Sequence, residues 1–133
     1  MLGRLIAAAM CMSVLVGART IEDSGKYFVY FQSESRSITV EAGEVIALAA
    51  AFYKAHPKSR VRVTGTADQA GSRKYNIRLS RSRARVVVDR LVQLGVMRNR
   101  MSVKWTGEDR LTYPSPSDGR QPLNRYVEVA FND

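Results

Sequence analysis

Two charged residues, Asp68 and Arg83, stand fifteen positions apart in the stretch 65–94, GTADQAGSRKYNIRLSRSRARVVVDRLVQL. Asp68 follows a β-rich run, Val61-Arg62-Val63-Thr64, on a turn that also carries Gly71. Arg83 is expected in the first turn of an amphipathic helix, three residues past Ser80, a good N-cap. One anion and one cation a few ångströms apart suit the zwitterionic end of an amino acid. A guanidinium is a planar fork that receives a carboxylate bidentately. A helix N-terminus would add unpaired N–H groups and its positive dipole end. A ligand lacking the ammonium would leave Asp68 facing Arg83 alone, costing about 1–3 kcal/mol for an unpaired group. Taken singly, each residue has a plainer reading. Asp68 is a common turn residue, and Arg83 is one of a run of arginines with Arg78, Arg81 and Arg85.

The surrounding pattern supplies elements to hold this pair. Lys26 to Phe31 is aromatic and β-branched with few polar positions, which predicts a central strand. Val45, Ile46, Leu48, Ala49, Phe52 and Tyr53 recur at helical spacing, predicting a helix over Ala42–Ala55 opened by Thr39 or Glu41 and stopped at His56-Pro57. Arg60 to Thr66 alternates as a second strand, with Gly65 at its end allowing close backbone approach or unusual dihedrals. Ser72 to Ile77 predicts a short helical turn, separate from a longer helix Arg81–Leu94. The longer helix has a buried stripe of Ala84, Val87, Val88, Leu91 and Leu94, and Gly95 sits at C′. Met101–Trp105 is a third strand. Gly107 to Leu123, with Pro114, Pro116 and Pro122, reads as a long loop. Tyr126 to Phe131 closes the sheet. The order predicts an α+β, βαβαββ sandwich: one mixed four-stranded sheet with helices on one face.

A chain of 133 residues is one domain at most. Its net charge of +9 points to an anionic partner. After Arg4 the chain is uncharged to Ala18, which predicts a signal peptide over 1–18, cleaved or retained as an anchor. Residues 19–26 read as a linker and 27–133 as the domain. The one cysteine, Cys11, lies in the signal segment, so a processed chain has no thiol for disulfides or cysteine catalysis. The one histidine, His56, has no second histidine or cysteine for a metal site and no partners for a Ser-His-Asp set. No phosphate-binding glycine loop is present, and nothing brings Asp68 and Glu108 together as a hydrolytic pair. The expectation is a binding protein without cofactor, not an enzyme. Export and the lack of an aromatic stacking platform weigh against nucleic acid.

Gly65-Thr66-Ala67-Asp68, Gly71-Ser72, Tyr75-Asn76, Leu79-Ser80, Arg83-Ala84, Val87, Leu91, Gly95, Gly107-Glu108 and Asn124-Arg125-Tyr126-Val127-Glu128 occur in a familiar order. From Tyr27 to Phe131 the chain resembles the peptidoglycan-associating domain of the OmpA C-terminal family. The resemblance implies an OmpA-like sandwich that binds peptidoglycan non-covalently, through the meso-diaminopimelate of the stem peptide. It implies a small exported protein of the periplasm or outer-membrane-associated envelope of a Gram-negative bacterium, with other envelope proteins as further partners. Asp68 would take the free ammonium of diaminopimelate and Arg83 its carboxylate. Asn124 and Arg125 would stand at the rim, and Asn76 and Leu79 would line the pocket or hold its loop. Three positions depart from the family pattern: Thr66 replaces a bulky His or Tyr, Ala67 a threonine, and Tyr126 a second arginine. They leave the charged pair intact and bear on affinity. The alternative is an envelope protein–protein interaction module with a degenerate, non-binding pocket.

Overall fold

The computed structural model describes residues 25–67, 72–105 and 125–132. Strand β1 is Lys26–Tyr30, helix α1 Val40–Ala55, strand β2 Arg60–Gly65 and helix α2 Arg73–Gln93. A 3-10 turn, Arg98–Arg100, leads into β3, Met101–Trp105, and β4 is Tyr126–Asn132. The four strands form one mixed sheet in the order β1-β4-β2-β3. β2 and β3 are parallel, joined by α2, while β4 runs antiparallel to both β1 and β2. Tyr27, Val29, Val61, Val63, Met101, Val127 and Val129 point to one face and share a core with Ile46, Ala49 and Tyr53 of α1 and Ala84, Val87 and Leu91 of α2. This is the expected α+β sandwich with its helices on one face. The signal or anchor segment expected over 1–18 lies outside the described residues, and β1 begins at Lys26, within the segment read as linker.

Strand placement differs from expectation. β1 is an edge strand and β4 is central. The burial of β1 alternates strictly, and its outward residues Phe28 and Tyr30 stay 39% and 41% exposed. Those rings meet Tyr126 edge-on, at 5.4 and 6.0 Å between centroids. Apolar character on both faces of β1 therefore marks an aromatic cluster on the open side of the sheet. Five successive residues of β4, Tyr126 to Ala130, are buried, as expected of a strand flanked on both sides.

The helix boundaries follow from capping chemistry. Thr39 Oγ1 accepts the Ala42 N–H at 3.1 Å and opens α1. At its end, the His56 N–H reaches the Phe52 and Tyr53 carbonyls, and Pro57 forbids continuation. Ser72 caps α2, its Oγ accepting the Tyr75 N–H at 3.1 Å. At the far end, Val96 N–H bonds the Leu91 carbonyl and Gly95 N–H the Val92 carbonyl, each at 3.0 Å, with Gly95 at φ +102°. This is the left-handed glycine termination expected from the sequence.

The short turn and separate helix expected over 72–94 are one helix. No glycine or proline interrupts Ser72 to Leu94, and Ser80 does not cap. Its side chain is fully buried and its hydroxyl donates to the Ile77 carbonyl at 2.8 Å, a bond compatible with a continuing helix.

Candidate functional site

Register brings several chain segments to one end of the sheet. There Tyr30 of β1 pairs with Tyr126 of β4, and Gly65 of β2 pairs with Val127 of β4 and Trp105 of β3. The chain thus leaves β2 toward Asp68, and enters β4 from Asn124, at the same end. Asp68 and Asn124 themselves lie outside the described residues.

Arg83 organises this end. It sits near the middle of the 21-residue α2, so the helix dipole and open N–H groups expected to assist it are elsewhere. They belong to the turn after Ser72, ten residues and about 15 Å of helix away. The Arg83 side chain points inward and is 1% exposed. Its Nε donates to the Ser35 carbonyl at 2.8 Å and its Nη2 to the Gln32 carbonyl at 2.9 Å. Its Nη1 makes a longer contact, 3.5 Å, with the Thr66 carbonyl. The guanidinium also lies 5.3 Å from the centre of the Phe31 ring. A buried cation is tolerated only when its donors meet acceptors, and these carbonyls supply them. Arg83 thereby pins the loop between β1 and α1 onto the end of β2, two residues before Asp68.

Arg125 joins the same cluster through its backbone, its carbonyl accepting the Phe31 N–H at 2.8 Å. Asn76 and Leu79 lie two turns and one turn before Arg83 on α2. Asn76 is 1% exposed, which suits holding the fold together and not contact with a surface ligand. Leu79 is half-buried. The inward stripe of α2 is polar in its first half, with Asn76, Ser80 and Arg83, and apolar in its second, with Ala84, Val87, Val88 and Leu91.

Some contributors were not anticipated. Gln32 and Ser35 act through backbone carbonyls, which carry no side-chain signature. Thr66 is buried, and its hydroxyl donates to the Tyr126 carbonyl at 2.8 Å and accepts the Tyr126 N–H at 3.3 Å. Two of the three departures from the family pattern, Thr66 and Tyr126, are therefore partners across the β2–β4 junction. Among the described residues, no group of three or more His, Cys, Asp or Glu side chains could hold a metal ion.

Comparison with known proteins agrees with this architecture. The chain is 34% identical over 82 residues to a peptidoglycan-associated lipoprotein of Legionella pneumophila, covering 62% of this chain and 47% of that protein. It is 30% identical over 112 residues to an outer membrane protein of Gluconacetobacter diazotrophicus, covering 80% of this chain and 30% of that one. The chain thus spans half or less of the length of these two relatives. The crystal structure of the C-terminal domain of Helicobacter pylori MotB superposes with a TM-score of 0.71 at 26% identity, covering 80% of this chain and 84% of that one. The sequence profile of the OmpA family matches residues 30–125, and the chain belongs to that family.

Proposed function

We propose that this chain binds peptidoglycan non-covalently, with Asp68 and Arg83 recognising the zwitterionic end of meso-diaminopimelate in the stem peptide. Relatives named peptidoglycan-associated lipoprotein and outer membrane protein support the polymer and the setting, the periplasmic, outer-membrane-associated envelope of a Gram-negative bacterium. The observation that carries the finer reading is the contact of the Arg83 guanidinium with the Thr66 carbonyl, which sets a fixed cation beside the backbone leading into Asp68. Asn124 and Arg125 then border the site where β4 begins, and Asn76 and Leu79 support it from α2. The step is recognition, with no bond made or broken.

The test is retention of the full chain on purified sacculi near 1 M salt, where diffuse attraction to the basic surface is screened. Asp68→Asn and Arg83→Lys should each weaken retention by about tenfold or more, the size of one charge-assisted hydrogen bond. Free meso-diaminopimelate should displace the wild type, and lysine, which lacks the second carboxylate, should not. The near-complete burial of Arg83 favours a second reading, in which the residue only braces the β1–α1 loop and the fold serves protein–protein contacts. Undiminished retention of a folded Asp68→Asn chain would decide for it.

A further inference from the structure

A second feature opens from the same end of the sheet. A groove of about 590 Å³ lies between α2 and the edge strand β3, lined by Arg85, Val88, Asp89, Arg98, Val103 and Trp105. Its volume is in the range of small-ligand sites. Trp105 is 39% exposed, and the Arg81 guanidinium stacks 5.0 Å from the centre of its ring. Among the described residues, the side chains of Arg85, Asp89 and Arg98 form no ion pair. In the β2–β3 register Trp105 is opposite Gly65, the residue before Thr66, so the groove adjoins the Arg83 cluster.

We infer that this groove is a subsite for a carboxylated sugar, namely the lactyl-bearing ring of a peptide-free stretch of peptidoglycan glycan, whose carboxylate is not engaged in the amide bond to a stem peptide. The parts match that chemistry separately. The half-exposed indole of Trp105 and the partly buried Val103 offer an apolar surface to the C–H face of a pyranose ring. Arg85 and Arg98 offer guanidinium forks to a carboxylate. Asp89, an acceptor among cations, suits sugar hydroxyl donors better than a second anion. An acidic peptide would satisfy the arginines but leave Asp89 facing like charge. The subsite rests on the peptidoglycan reading for the identity of the polymer and lies apart from the Asp68–Arg83 clamp.

Trp105 is the only tryptophan of the chain, so its intrinsic fluorescence reports this groove without a label. The probe is peptide-free glycan, prepared from sacculi with an amidase so that its lactyl carboxylates are free. Titration should shift the Trp105 emission saturably, and Arg85→Ala and Arg98→Ala should each weaken that binding by about tenfold. Neutral N-acetylglucosamine oligomers should bind more weakly than the carboxylated glycan. Asp68→Asn should leave the glycan response intact while losing sacculi, so the two sites can fail separately. No spectral response, together with no retention of the glycan on the immobilised chain, would overturn the assignment. Polyglutamate binding as tightly as the glycan would overturn it in favour of an acidic peptide.

Discussion

Arg83 shows how a residue that reads as one solvated arginine among several becomes an internal strut. Its guanidinium satisfies the Gln32 and Ser35 carbonyls at 2.9 and 2.8 Å. Truncation would strand those acceptors and leave a cavity. Arg83→Ala should therefore lose roughly 3 kcal/mol or more of stability in urea denaturation. Arg83→Lys, which keeps the charge and most of the volume but cannot reach several carbonyls at once, should lose less. The strut also explains a strained neighbour. Ser35 N–H bonds the Gln32 carbonyl at 3.1 Å, closing a tight turn in which Glu34 takes φ +56°. That left-handed position suits glycine, and other residues adopt it at a cost of about 1 kcal/mol. Glu34→Gly should be neutral or stabilise by up to about 1 kcal/mol, seen as an unchanged or raised Tm.

At the scale of elements, α2 separates what the sequence reveals from what it hides. The apolar stripe Ala84, Val87, Val88 and Leu91, and the Gly95 stop, were legible because periodicity and left-handed glycine each have a single physical cause. The start of the helix was not. Ser72 and Ser80 are both competent caps in sequence, and only burial of Ser80 decides between them. Ser72→Ala should therefore cost about 1 kcal/mol and fray the first turn, measured by hydrogen exchange at Tyr75 and Asn76, while Ser80→Ala should leave the protection of that turn intact. Gly65 was legible as a position needing either close approach or unusual dihedrals, and the structure shows that it is the approach. A Cβ there would collide with the Ser80 carbonyl oxygen and lie 3.2 Å from the Ala84 Cβ. Because the obstacle is helix backbone, Gly65→Ala must force β2 and α2 apart. It should cost about 2–3 kcal/mol, with a matching fall in the urea midpoint.

For the whole molecule, layer architecture was readable from the alternation of strand and helix patterns, but strand order was not. Nothing local in Tyr126–Phe131 says that the last strand inserts between the first two; only pairing with both neighbours makes it central. The proposed Asp68–Arg83 clamp rests on residue types at a spacing, whereas the carbonyl cage that positions Arg83 was invisible because any residue supplies a carbonyl. Net charge acts at this scale too, and it predicts a salt-dependent separation of two modes of binding. At about 0.01 M salt the Debye length is about 30 Å, so a chain of charge +9 is drawn to an anionic sacculus whatever its pocket does. Wild type and Asp68→Asn should then be retained alike. Near 1 M the screening length falls to about 3 Å, and diffuse attraction vanishes while contacts in a pocket persist. The wild type should keep a saturable fraction on sacculi that free meso-diaminopimelate displaces, and Asp68→Asn should keep none. Parallel release of the two chains across the whole salt range would instead assign retention to the basic surface, leaving the sheet-end cluster with its structural role alone.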